Sequence, residues 1–160
     1  MDIPKILWLE DQHEDFDAYK SALFRSGYLV DYVKSVSEAE KKLREENYIA
    51  VIFDIKVLPG DDKKWKQLDE QERRKNPDFD TYLGLELLRS LFHSPKAKVI
   101  IDPPTAIDPK KIIVFSVVYD KTEEITALGI PGKQIIYKSN GDLNTLPNLI
   151  NKIQNQCQGE

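Results

Sequence analysis

The sequence is poorest in the residues that cross-link a chain or ligate soft metals. It has one cysteine, Cys157, which excludes an intramolecular disulfide framework and fits a reducing compartment, read here as the cytoplasm. Its two histidines, His13 and His93, are too few and too far apart for a zinc centre. His93 follows an apolar helical pattern and reads as a solvated helix-end residue. No apolar run approaches the roughly 18 residues that span a bilayer. The opening Met1-Asp2-Ile3-Pro4-Lys5 lacks the basic-then-apolar order of a signal peptide, so no membrane partner is expected. An excess of positive charge is missing too. The formal net charge of −4 weighs against direct nucleic-acid binding, which relies on counterion release by Lys and Arg.

What is present is an ordinary globular balance, 41% hydrophobic and 31% charged, in 160 residues, which suits one domain over 1–160. Apolar runs alternate with amphipathic segments, the pattern of βαβ units around a parallel sheet. The predicted strands are Ile6–Leu9, Leu29–Val33, Ile49–Phe53, Ile112–Phe115 and Gln134–Tyr137. About five helices are expected. The first has Phe16, Tyr19 and Leu23 on one face and stops at Gly27. The second opens on the capping-box spacing Ser37-Glu38-Ala39-Glu40 and buries Ala39 and Leu43. Thr122–Leu128 reads as a short helix stopped by Gly129. The last starts near Thr145 and buries Leu146, Leu149, Ile150 and Ile153. Two stretches break the alternation. Residues 61–80 form an insert dominated by charge, with Trp65, Leu68 and Phe79 as its main apolar residues; a solvated helix or a mobile loop is expected there, with Trp65 a local packing anchor. Residues 95–111 hold four prolines around Val99-Ile100-Ile101.

Four of the five strands end in polar residues: Glu10-Asp11, Asp54, Ser116 and Lys138. Ligands of open α/β sheets bind outside the carboxyl ends of the strands. A parallel sheet therefore gathers three carboxylates, a hydroxyl and an ammonium at one edge. Clustered carboxylates repel unless a cation sits among them, and oxygen-only ligands suit Mg²⁺. A hydroxyl and a lysine can hold phosphate oxygens, and a carboxylate can itself accept a phosphoryl group. Taken singly, each residue also has a plainer reading. Asp54 could cap a turn, Glu10-Asp11 could be helix N-terminal acid, and Lys138 could be surface charge.

As an ordered set, these residues resemble the response-regulator receiver domains of two-component signalling. Lys5–Asp11 is similar to the family's first strand and acidic pair, and Ile49–Asp54 to its third strand and phospho-acceptor. Gly84-Leu85-Glu86-Leu87-Leu88-Arg89 is similar to the start of its third helix, with Ser116 and Lys138 at the hydroxyl and lysine positions. The resemblance implies a flavodoxin-like, doubly wound, five-stranded parallel sheet with helices on both faces. It further implies that Asp54 accepts a phosphoryl group from a histidine kinase or phosphotransfer protein. Asp11 and Asp54 would hold Mg²⁺, with the Lys56 carbonyl as a further ligand and Glu10 acting through water. Ser116 and Lys138 would bind the phosphoryl oxygens.

Four positions depart from the family pattern. Pro59 stands five residues after Asp54 rather than four, and Val117 replaces a small residue and is expected to crowd the phosphoryl pocket. Ile135 stands at the aromatic switch position, two residues before Tyr137 on the same strand face, so both are candidate switch variants. Ser139 replaces a proline. The leading expectation is a stand-alone response regulator, monomer or weak dimer, that signals to an unknown downstream protein. The alternative is a phosphorylation-independent pseudo-receiver serving as a protein-binding module. A phosphohydrolase ranks below both, because Lys56 occupies the place where such enzymes often carry a second acid.

Overall fold

Ala50-Val51-Ile52-Phe53 contains no polar side chain, and a strand of that kind needs cover on both faces and a neighbour on each edge. The computed structural model, which describes residues 3–78, 81–101, 107–139 and 142–158, supplies both. In chain order the elements are β1 (Lys5–Leu9), α1 (Asp17–Arg25), β2 (Leu29–Val33), α2 (Val36–Glu45), β3 (Ala50–Phe53), α3 (Lys63–Lys75), α4 (Leu83–Leu91), β4 (Ile112–Ser116), α5 (Thr122–Thr126), β5 (Ile135–Tyr137) and α6 (Thr145–Gln158). The sheet runs β2-β1-β3-β4-β5 and every pairing is parallel. The strand order reverses between β1 and β3, where Leu9 lies opposite Phe53, so the crevice for a ligand is expected at that switch point.

Strand alternation splits the core in two. Leu7, Leu9, Val51, Phe53, Ile112 and Val114 face the α2 and α4 side. Ile6, Trp8, Ile52, Ile113 and Phe115 face Leu23 of α1 and Leu146, Ile150 and Ile153 of α6. Leu149 is only partly buried. No described helix is long and apolar enough to cross a membrane.

The described residues hold six helices rather than about five, and the additional one, α3, lies in the charged insert. Its polar composition hides a narrow apolar anchor. Trp65 is fully buried, Leu68 nearly so, and the Trp65 indole N–H donates to Glu40 Oε1 at 2.8 Å. Lys64 and Arg44 also pair with Glu40, so one buried carboxylate on α2 joins the insert to the domain. That role explains a correction in α2. Ser35-x-x-Glu38 and Ser37-x-x-Glu40 both have the capping-box spacing, and the helix uses the first. Ser35 is extended at the N-cap, its hydroxyl accepts from the Glu38 N–H, and Glu38 Oε1 accepts from that hydroxyl in return. Ser37 donates instead to the Pro59 carbonyl.

The connection after α4 is also tied down where it is described. Val99 and Ile101 are buried while Ile100 is 87% exposed, and the Ser90 hydroxyl donates to the Val99 carbonyl at 2.7 Å. His93 is exposed at the end of α4 with a left-handed φ of 52°, as expected of a helix-end residue. Phe79 and Asp80, residues 102–106 and the Cys157 side chain lie outside the described residues.

Asp62 caps α3, accepting from the Lys64 N–H at 3.0 Å and from Lys64 Nζ at 2.8 Å. The Lys64 hydrogen bond holds its carboxyl below the ordinary aspartate range, against partial burial that pushes it up. Asp62→Ala is expected to cost about 0.5–2 kcal/mol, the usual worth of an N-cap. A depressed folded pKa gives stability that is complete above the unfolded value and lost as pH falls through the folded one. Urea unfolding followed by tryptophan emission should therefore show the difference between wild type and Asp62→Ala shrinking below about pH 4, near the unfolded aspartate value.

Candidate functional site

Four of the five strands, β1, β3, β4 and β5, end in polar residues at the same edge of the parallel sheet. The Glu10 N–H donates to the Val33 carbonyl at 2.9 Å and the Asp54 N–H to the Leu9 carbonyl at 3.0 Å, so the ladder is continued to the residues that carry the carboxylates. Oxygens of Glu10, Asp11 and Asp54 all lie within 4.8 Å of one another. Glu10 and Asp54 are 1% and 3% exposed, while Asp11 is half-buried.

Lys138 enters from the end of β5. Its ammonium donates to Glu10 Oε2 at 2.6 Å and to Asp54 Oδ2 at 2.9 Å. It lies 4.7 Å from the centre of the Phe16 ring and 5.9 Å from that of Phe115. Asp54 Oδ1 accepts from the Ile55 N–H at 2.7 Å and more weakly from the Lys56 N–H at 3.4 Å. Burial and the facing Asp54 charge push the Glu10 carboxyl up to about 7, against the opposing pull of Lys138. Burial pulls the Lys138 ammonium down, but Asp54 and Glu10 outweigh it and hold it above its usual value. This is a low-dielectric acidic cleft whose nearest protein cation is one lysine. Its hard oxygen donors at this spacing are a set that could hold a divalent ion.

No family sequence model matches this chain, and no curated protein matches it in sequence. Solved structures do match its shape. A response regulator receiver domain from Clostridium thermocellum superposes with a TM-score of 0.60 at 18% identity, over 98% of each chain. A response regulator from Thermotoga maritima gives 0.56 at 21% identity, over 96% of this chain and 99% of its own. The receiver domain of a sensor histidine kinase from Pseudomonas aeruginosa, which has a magnesium ion coordinated in its active-site cleft, gives 0.55 at 15% identity, over 96% and 99%. This chain has the receiver fold.

Within the receiver fold the remaining candidate residues take distinct positions. Ser116, 1% exposed, ends β4, and its Oγ accepts from the Val118 N–H at 3.2 Å. Lys56 is exposed in the turn after Asp54. Val117, expected to crowd the phosphoryl pocket, is 53% exposed. Ile135 packs against the α2 and α4 side of the core. Tyr137, on the same strand face, shares a 2.6 Å hydrogen bond with the Thr122 hydroxyl and donates to the Tyr119 carbonyl at 3.2 Å. Its ring meets that of Tyr119 at 4.5 Å between centroids.

Three contributors escaped the sequence reading. Phe16 and Phe115 bracket the Lys138 ammonium, and nothing local in the sequence marks either as a partner of a lysine so far along the chain. Gly84 was noted as a helix start but not as a spacer. A Cβ there would sit 2.0 Å from the Asp54 carbonyl oxygen, and the Gly84 N–H donates to the Ile55 carbonyl at 2.9 Å. A side chain at position 84 would push α4 off the segment that carries Asp54.

Proposed function

We propose that this chain, as a single domain over 1–160, is a signalling receiver that accepts a phosphoryl group on Asp54. The observation that carries the reading is the Asp54 carboxylate at the sheet's switch point, beside Glu10 and Asp11 and hydrogen-bonded to Lys138. A carboxylate oxygen of Asp54 attacks the phosphorus of a phosphohistidine on a histidine kinase or phosphotransfer protein. The new O–P bond forms as the donor's N–P bond breaks, and the nitrogen electron pair returns to the imidazole. Lys138 hydrogen-bonds the transferred phosphoryl oxygens, and the Ser116 hydroxyl contacts the product. Asp11, Asp54 and the Lys56 carbonyl are the groups to hold Mg²⁺, with Glu10 acting through water. The ion's contribution, when bound, is to neutralise phosphoryl and carboxylate charge. Output passes to a downstream protein rather than through turnover of a substrate.

A second reading has a specific observation behind it. Both Asp54 oxygens are already hydrogen-bonded within the chain and the residue is 3% exposed, which suits a pseudo-receiver that binds partners without phosphate. Incubation with acetyl phosphate and Mg²⁺, followed by intact-mass measurement, decides between them. The receiver reading expects a gain of one phosphoryl group that disappears in Asp54→Asn. No gain with any phosphoryl donor would leave the binding module.

A further inference from the structure

The sheet ends at β2, and that edge is open. The Leu29 N–H donates to the Pro4 carbonyl at 3.0 Å, and the Val33 carbonyl accepts from the Glu10 N–H at 2.9 Å. Strand alternation therefore turns the backbone groups of Leu29, Asp31 and Val33 toward β1 and those of Val30 and Tyr32 outward. The N–H and C=O groups of Val30 and Tyr32 have no partner among the described residues. Natural edges are usually blunted by lysine, proline or a bulge. Leu29-Val30-Asp31-Tyr32-Val33 pairs with β1 in unbroken register and carries none of the three.

Exposed apolar side chains gather around the same strand. Of the nine large ones exposed among the described residues, Leu29 and Tyr32 lie on β2 itself, and Phe24 and Ile3 lie beside it. Phe24, 75% exposed, stands one turn along α1 from Lys20, whose ammonium is 4.8 Å from the Tyr32 ring centre. Positions i and i+4 share a helix face, so Phe24 flanks the edge as Lys20 does. Ile3 precedes the Pro4 that bonds Leu29. Such a concentration around five residues differs from the scattered exposure of an ordinary surface. The one charge on β2 is already occupied. Asp31 is tied within its own chain to Lys5 at 3.1 Å and to the Tyr48 hydroxyl at 2.7 Å.

We propose that β2 is an interface between two copies of this chain, the strands pairing antiparallel about a two-fold axis at Asp31. A two-fold contact must be self-complementary, and this strand meets that condition. Val30 of each copy lies opposite Tyr32 of the other, and each such pair exchanges two hydrogen bonds between the outward backbone groups. Val30 with Tyr32 and Leu29 with Val33 are apolar cross-strand pairs of the kind that stabilise sheets. The two Asp31 residues meet at the axis with their charges held by Lys5. The edge offers fewer residues than the roughly 20–30 per side of a standard interface, so the dimer is weak and concentration-dependent. Pairing along the side of the sheet does not depend on phosphoryl transfer at Asp54.

Sedimentation equilibrium of the full chain from about 10 μM to about 1 mM, the range of a weak dimer, tests this together with amide hydrogen exchange by NMR. The mass is expected to rise from 18.5 kDa toward twice that value. The Val30 and Tyr32 amides should exchange more slowly at the higher concentration, while those of Leu29, Asp31 and Val33, turned to β1, keep their protection. Tyr32→Lys and Phe24→Lys should each weaken dimerisation about tenfold or more, as loss of a buried apolar side chain implies. Should Tyr32→Lys fail to fold, Phe24→Lys and the exchange pattern of the wild type carry the test, because position 24 is exposed and a cation suits the last turn of a helix. A monomer throughout the range, a dimer whose Val30 and Tyr32 amides exchange unchanged, or unaltered dimerisation in the folded variants would overturn the proposal.

Discussion

Replacing Lys138 with methionine is expected to destabilise the domain by about 3–5 kcal/mol, the usual result of removing one partner from a buried ion pair. Methionine keeps most of the aliphatic stem beside Phe16 and Phe115, so lost packing is a small part of the effect. The larger part is the pair of carboxylates left behind. Glu10 and Asp54 are both almost wholly buried, and Lys138 is the ammonium that bonds each of them. Without it two like charges face one another in low dielectric, and the cleft must admit water, take up a proton or open. Chemical denaturation at neutral pH measures the loss. Titrating Mg²⁺ into the same experiment identifies its origin, because a dication attracted by those carboxylates should restore more stability to Lys138→Met than it adds to wild type. Equal increments in the two proteins would mean that the loss was one of packing.

The other large expected effect comes from a residue with no side chain. Gly84→Ala places a methyl group 2.0 Å from the Asp54 carbonyl oxygen and 2.9 Å from the Ile55 Cα. Both obstacles are backbone, so no rotamer change relieves them. Overpacking against yielding side chains costs about 1–3 kcal/mol; here about 3 kcal/mol or more is expected. The displacement also breaks the Gly84 N–H bond to the Ile55 carbonyl. Thermal denaturation reads the stability. Phosphorylation by acetyl phosphate, measured on whatever folded fraction remains, reads whether Asp54 has moved. A folded Gly84→Ala with wild-type stability would show that α4 is free to shift outward.

The parts of the fold that were legible share a cause. A strand buried on both faces must be apolar throughout, so Ala50–Phe53 and Ile112–Phe115 stand out by composition, and the polar residues that follow, Asp54 and Ser116, remain buried but end the apolar run. The α1, α5 and α6 segments follow from apolar spacing and stop signals, Gly27 and Gly129 having positive φ where the sequence placed the stops. The insert was less legible. In Lys63–Lys75 charge occupies nine of the thirteen positions, and a helix with only Trp65 and Leu68 as its buried residues carries too little periodicity to be separated from a solvated loop. What orders it is Glu40, a residue on another helix. The start of α2 had two equivalent capping boxes, and local sequence held no information to choose between them. The choice was made by Trp65, Lys64 and Arg44, which take Glu40 as an anchor and leave Ser35 and Glu38 to form the cap.

The layers, the strand ends and hence the edge of the sheet that collects the polar groups follow from the order of residues, because period-2 and helical spacing are local properties of the chain. What those groups do to one another follows from packing. Glu10 and Lys138 are 128 residues apart, and their 2.6 Å contact depends on β1 and β5 lying on opposite sides of β3 in one parallel sheet. The same assembly set the Gly84 backbone against Asp54. Distances of this kind arise from how elements pack, and residues far apart in the chain carry no local trace of the partners they will meet.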